Sequence, residues 1–143
     1  DLTPDLPQVS VIPQDIGRVI LNLVNNAFYA VNEKAKTGIV DSDYKPIVTV
    51  STCQIPPEGG KGGYIEISVR DNGSGITDSI KEKIFQPFFT TKPTGSGTGL
   101  GLSIVKHVAA KHGGDVKVWS AENVGSTFTL MLPEYSGSLG DKE

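Results

Sequence analysis

Cysteine, methionine and tryptophan each occur once in this chain, and no apolar stretch approaches the about 20 residues that a membrane helix needs. The lone Cys53 excludes an internal disulfide and any zinc site built on paired cysteines, and it suits a reducing cytosol, the expected compartment of this domain. No basic segment leading into an apolar core opens the sequence, so no signal peptide is expected. An excess of positive charge is missing too. Thirteen basic and 16 acidic residues leave a net charge of −3, which speaks against nonspecific contact with nucleic acid or an anionic membrane. No internal repeat is found. What is present is 37% hydrophobic residues in 143, enough for the core of one domain and too short for two ordinary ones.

Glycine is the residue in surplus, 17 of 143, and it is clustered. Between the clusters the elements can be read from period and punctuation. The opening "DLTPDLPQVSVIP" predicts an extended lead-in, and Pro13 suits the first turn of a helix, where a missing N–H costs nothing. Ile16, Val19, Ile20, Leu23, Val24, Ala27, Phe28 and Val31 then keep a helical period over about four turns. "PIVTVSTC" and "YIEISVRD" read as strands joined by the long loop "QIPPEGGKGG". Thr77 or Asp78 caps a short helix "SIKEKIF"; "QPFFTTKPTGSG" has no period and is expected to be a mobile loop. A helix from about Leu100 to Lys111 stops at "HGG", and "DVKVWSAE" and "STFTLMLP" form a closing hairpin, with residues 134–143 as a frayed tail after a domain of residues 1–133. Strands in adjacent hairpins rather than βαβ units predict a two-layer α+β sandwich, with a mostly antiparallel sheet under about three helices.

Three stretches carry polar chemistry. The first helix leaves a flank with Asp15, Arg18, Asn22, Asn26 and Glu33; Asn22 and Asn26 are four apart and stack on one side. Three Asn within five residues (Asn22, Asn25, Asn26) oppose helix propensity and have no capping role there. The flank is either a solvated surface or a set of neutral oxygens facing a metal or a phosphate, as Mg²⁺ prefers. "DNGSGI", Asp71 to Ile76, is good strand-end turn chemistry, or else a carboxylate set to accept from an exocyclic amine, with Gly73 and Gly75 allowing close backbone approach. "GTGLGLSIV" places Gly97, Gly99 and Gly101 before a helix, where unpaired N–H groups favour anions; the alternative is a plain hinge. No βαβ unit surrounds it and no G-K-[ST] follows, so neither a Rossmann nor a Walker loop is read.

Taken in order, "NLVNNAFYAV", "DNGSGI", "IFQPFFTTK", "GTGLGLSIV" and "GSTFTLMLP" resemble the Asn box, first glycine box, Phe box, second glycine box and third glycine element of the catalytic ATP-binding domain of bacterial histidine kinases. That domain belongs to the Bergerat-fold superfamily with gyrase, MutL and heat-shock chaperone ATPases, and the resemblance covers roughly Leu6 to Pro133. It implies a protein-histidine kinase domain that binds ATP with Mg²⁺. Asn26 matches the metal-binding Asn, and Asn22 its helix-mate near the phosphates. Asp71 matches the carboxylate that takes the adenine amino group, with Gly73, Gly75 and Ile76 shaping the purine pocket. Phe88 and Phe89 match the anchor of a nucleotide lid, and Lys92 a lid lysine near the phosphates. Gly97, Thr98, Gly99, Leu100, Gly101 and Leu102 match the hinge and phosphate cradle, and Thr127 a hydroxyl of the adenine-site water network.

The pattern departs from the family in three places. Tyr29 stands where many members carry Lys or Arg, which shifts phosphate charge onto Lys92 and the helix dipole. Asn22 replaces the Glu that activates water in hydrolytic relatives, so an efficient stand-alone ATPase is not expected. The first strand of the family is expected to be clipped, making the chain an excised piece. Neither His107, followed by Val108, nor His112, followed by Gly113, resembles a phospho-accepting His, so both are expected to be structural. The expected partners are a dimerisation and phospho-acceptor domain of the same protein, then a response regulator; the piece itself should be monomeric, its parent's membrane anchoring being open. The rivals are a hydrolytic Bergerat ATPase and a noncatalytic nucleotide-sensing module.

Overall fold

The structure is a computed structural model that describes residues 2, 11–36, 43–59, 62–86 and 101–134. The elements run α1 (Pro13–Lys36), β1 (Val48–Ile55), β2 (Tyr64–Asp71), α2 (Asp78–Lys81), α3 (Gly101–Lys111), β3 (Asp115–Ala121) and β4 (Gly125–Pro133). This is the expected order and the expected α+β class. The expected lead-in, lid and tail lie largely or wholly outside the described residues.

α1 begins where Pro13 predicts, because Ile12 contributes its carbonyl to the N–H groups of Asp15 and Ile16 at 3.0 and 3.1 Å. Asp15 in the first turn and Lys34 and Lys36 in the last complement the helix dipole. The helix runs 24 residues, beyond the apolar period that ends at Val31. Its buried stripe is Ile16, Val19, Leu23, Ala27 and Val31. α2 is shorter than the expected "SIKEKIF": Thr77 caps it by accepting from the Ile80 N–H at 3.3 Å, and regular helix ends at Lys81. Beyond it Ile84 is buried, and Phe85 meets Phe128 edge to face with ring centroids 6.5 Å apart, so the apolar residues of that stretch reach the core without helical backbone.

The sheet has the order β1-β2-β4-β3, two hairpins joined by the β2–β4 pair. Every pair is antiparallel among the described residues, in keeping with the mostly antiparallel sheet expected. Period two sorts each strand into two faces. Ile65, Val69, Val116, Phe128, Leu130 and Leu132 point inward to meet Val19 and Leu23 of α1 and Val105, Val108 and Ala109 of α3. The other face is polar, with Ser68 and Thr129 hydrogen-bonded across strands at 3.0 Å and Trp119 exposed.

α3 stops as "HGG" predicts: the Gly113 N–H donates to the Ala110 carbonyl and the Gly114 N–H to the Ala109 carbonyl, at 3.0 and 2.9 Å. His112 then fastens this end of α3 to the start of α1. Its Nδ1 lies 2.9 Å from the Val108 carbonyl, and its Nε2 accepts from the Ile12 N–H at 3.0 Å. Lys111 adds an ion pair to Asp15 at 3.2 Å. His112 is thus structural as expected, and His107 is exposed on α3.

Candidate functional site

Asn22, Asn26 and Tyr29 lie half-buried along one flank of α1, whereas Asn25 and Phe28 are exposed. Partial burial, and after it the Glu33 carboxylate one turn on, hold the Tyr29 hydroxyl above its ordinary range. Helical spacing continues the flank from Asn22 through Asn26 to Ala30, each step rising about 6 Å along the axis. Ala30 is where the turn after β2 touches the helix. A Cβ on Gly73 would come within 2.8 Å of the Ala30 Cβ and 2.9 Å of its backbone. The small residue lets the "DNGSGI" turn seat on α1, two residues from Asp71.

Asp71 ends β2 on the inward face and is 6% exposed. Its Oδ1 accepts from the Gly73 N–H at 2.8 Å, and the Ser126 backbone N–H of β4 donates to the same carboxylate. Burial pushes its pKa up, opposed by those two N–H groups and by the Lys34 charge. Behind it Ser126, 4% exposed, hydrogen-bonds Ser120 at 2.9 Å, and Ser120 accepts from the Ile76 N–H at 2.7 Å. The Asn123 N–H donates to the Ser74 carbonyl at 2.6 Å. Gly75 has φ +77°, and a Cβ there would run into the Ala121 carbonyl, so the turn between β3 and β4 demands glycine at this position. The close approaches made by Gly73 and Gly75 are to other parts of the protein, where the sequence suggested approach to a ligand.

Two more side chains complete the surroundings. Asn72 accepts from the Ile47 N–H and donates to the Lys45 carbonyl, both at 2.8 Å, fixing the segment that leads into β1. Lys34, at the last turn of α1, donates to the carbonyls of Asn72, Gly73 and Asn123 at 3.4, 3.5 and 3.2 Å.

The structure thus brings Asn22, Asn26, Tyr29, Asp71, Gly73, Gly75 and Ile76 onto adjoining stretches of one helix flank and one turn. Leu102 is half-buried and packs against the core, and Gly101 opens α3. Phe88, Phe89, Lys92, Gly97, Thr98, Gly99 and Leu100 lie outside the described residues. Thr127 is placed differently from expectation. Alternation along β4 buries Ser126 and Phe128 and turns Thr127 to the opposite face, paired with Arg70 and Trp119. The hydroxyl beside Asp71 is that of Ser126, paired with Asp71 in register. The inward run Phe128, Leu130, Leu132 was the signal that could have located it.

Among the described residues no group of three or more His, Cys, Asp or Glu side chains could hold a metal ion, and no helix is long and apolar enough to cross a membrane. The amide oxygens of Asn22 and Asn26, with water and an anionic ligand, are a donor set that would fit Mg²⁺.

Comparison with known proteins agrees with this architecture. Residues 12–136 match the family described as histidine kinase-, DNA gyrase B-, and HSP90-like ATPase. The sensor histidine kinase ZraS of Escherichia coli K12 is 41% identical over 128 residues, 90% of this chain and 23% of that protein. The sensor-like histidine kinase SenX3 of Mycolicibacterium smegmatis is 52% identical over 80 residues, 52% of this chain and 21% of that protein. The chain thus spans about a fifth to a quarter of the length of these relatives. Among solved structures, the mycobacterial sensor histidine kinase MprB superposes with a TM-score of 0.70 at 32% identity, over 93% of this chain and 78% of that one. The catalytic domain of histidine kinase ThkA gives a TM-score of 0.64 at 31% identity, over 88% of this chain and 71% of that one.

Proposed function

Because the chain belongs to the histidine kinase-, DNA gyrase B- and HSP90-like ATPase family, on its histidine-kinase side, we propose that it presents Mg-ATP for phosphoryl transfer within a two-component sensor kinase. The observation that carries this reading is the line from Asn22 through Asn26 and Ala30 to Gly73 and Asp71. An adenine whose amino group donates to Asp71 would lie over the turn seated at Ala30. Its polyphosphate would extend along the flank toward Asn26 and Asn22, one and two helical turns away. α3, packed beside α1 with its far end fastened at Ile12 and Asp15, directs its glycine-led N-terminus toward the same stretch, where unpaired N–H groups favour phosphate. By the family resemblance Gly97, Thr98, Gly99, Leu100, Gly101 and Leu102 would supply that cradle, Lys92 positive charge, and Phe88 and Phe89 the anchor of a lid.

Asn26, with Asn22 beside it, would hold Mg²⁺ through an amide oxygen. The ion, when bound, neutralises charge on the phosphate oxygens. The chain's own contribution is positioning: it fixes the base at Asp71, aligns the phosphates along α1, and leaves the terminal phosphoryl open to a nucleophile. No carboxylate stands at position 22 to activate water, which disfavours hydrolysis. The nucleophile is a histidine on a dimerisation domain elsewhere in the parent protein, and the phosphoryl then passes to an aspartate of a response regulator.

Calorimetry on the 143-residue chain tests this. Asp71→Ala should weaken ADP binding roughly 10- to 100-fold with or without Mg²⁺, the magnitude for losing a hydrogen bond to a charged group. Asn26→Ala should remove only the Mg²⁺-dependent part of the affinity. Unchanged binding in both folded variants would sink the proposal. Rapid steady-state ATP hydrolysis would favour a hydrolytic relative, and a stable phosphohistidine on this chain would contradict the assignment of the acceptor to another domain.

A further inference from the structure

Lys34 sits where the buried stripe of α1 would otherwise continue, in step with Ala27 and Val31. Its ammonium donates to carbonyls in two separate turns, Asn72 and Gly73 after β2 and Asn123 between β3 and β4. It also lies 4.9 Å from the centroid of the Tyr44 ring, and the Tyr44 hydroxyl donates to the Asn72 carbonyl at 3.0 Å. One cation therefore joins the end of α1, the segment before β1 and both turns that flank Asp71. Neutral donors or water would satisfy three carbonyls, and a half-buried ammonium is costly unless its charge is used. The carboxylate that charge acts on is Asp71.

We propose that Lys34 is a positioning residue that sets base specificity: it clamps the two turns around Asp71 and places its positive charge on the backbone of the turn that holds the carboxylate, so that the site takes a base presenting an amino group at that point and rejects one presenting an oxygen there. This rests on the reading of Asp71 given above. An ionised carboxylate only accepts hydrogen bonds, so adenine's 6-amino group pairs with it, whereas guanine held in the same orientation turns its 6-oxygen toward it and is repelled. A protonated acid also donates and tolerates either. Burial drives Asp71 toward the protonated form, and Lys34 opposes it. From the other elements packed on Asp71 come Tyr44, whose hydroxyl is pushed up by burial and by Asp71 itself, and the Ser126 N–H; Arg70 points to the opposite face.

The 143-residue chain is titrated calorimetrically with ADP and with GDP from about pH 5 to about pH 8. Wild type should prefer ADP near neutrality and lose the preference on acidification. In Lys34→Met and Lys34→Gln the pH at which the preference halves should rise, because burial then acts on Asp71 without the opposing charge. Lys34→Arg should leave it in place. Lys34→Gln retains hydrogen-bonding capacity and gives the answer should Lys34→Met unfold. A clamp that is merely structural would alter affinity or melting temperature without moving that pH. A midpoint equal to wild type in the charge-free variants overturns the inference. If Asp71→Ala binds ADP as tightly as wild type, it is the reading of Asp71 that fails. If Asp71→Ala loses ADP while the Lys34 variants titrate as wild type, only the role of Lys34 falls.

Discussion

At one end of the sheet Asp71 lies buried opposite Ser126; at the other Asp115 lies exposed opposite Met131. Both are aspartates at strand ends, and each has a lysine nearby, yet their environments push them in opposite directions. Burial raises Asp71. Asp115 is lowered by its hydrogen bond to Lys106 and next by the Val116 N–H. The carboxylate at the exposed end satisfies itself with local partners. The buried one is hemmed in by α1, by the segment before β1, and by the turns after β2 and before β4. Keeping an acid in that setting opposes stability, and the surrounding contacts are the means by which the fold retains it.

The tight end should be the fragile one. Gly75→Ala is expected to have the largest effect, because the new Cβ meets the Ala121 carbonyl and the φ of +77° disfavours any L side chain. Strain and overpacking together should cost about 2–4 kcal/mol of unfolding free energy, read from the urea midpoint at constant slope. A loss below about 1 kcal/mol would mean that the turn yields easily and that the contrast between the two ends is overstated.

The next effect sharpens the contrast across the sheet rather than along it. Ser126→Ala removes a buried hydroxyl and leaves its partner Ser120 short of one contact, at a cost of about 1 kcal/mol. Thr127→Ala, one residue on and facing the other way, should stay within about 0.5 kcal/mol. ADP affinity should fall several-fold in the first variant and stay unchanged in the second. Equal effects would show that the two faces at this end are not distinct.

These differences also explain what could be read from the sequence. The flank of Asn22 and Asn26 was legible because a single helical period fixes it, and the order of elements was legible from turn residues between periodic runs. Thr127 and Ser126 are one residue apart in a strand, which puts their side chains on opposite faces, and it is Ser126 that shares the face of Asp71; the inward run Phe128, Leu130 and Leu132 carries that signal. Lys34, Tyr44 and Asn72 were not legible as a group. They meet only when α1, the segment before β1 and the turn after β2 are folded together, and no local pattern records that meeting. β1 likewise extends to Ile55 rather than Cys53, because the facing Tyr64 and Ile65 draw Ile55 and Gln54 into the ladder.

The smallest effect is expected at the exposed end. Asp115 and Lys106 form a 2.7 Å ion pair, but their side chains retain 59% and 47% of their exposure, so solvent screens most of the attraction. Asp115→Asn should therefore cost under about 0.5 kcal/mol at neutral pH. The sign of its pH dependence is fixed by the lowered pKa. The folded state favours the ionised form more than the unfolded chain does, so the contribution is complete above the ordinary aspartate range and fades as pH falls through the lowered value. Asp71 runs the other way: its raised pKa makes its contribution greatest in acid and lost as pH rises through the folded value. Urea midpoints of wild type and Asp115→Asn should differ slightly at neutral pH and converge in acid, while added salt narrows the neutral gap. A gap that survives both acid and high salt would mean that Asp115 contributes through packing or its Val116 contact, and that the two ends of the sheet differ less in kind than their charges suggest.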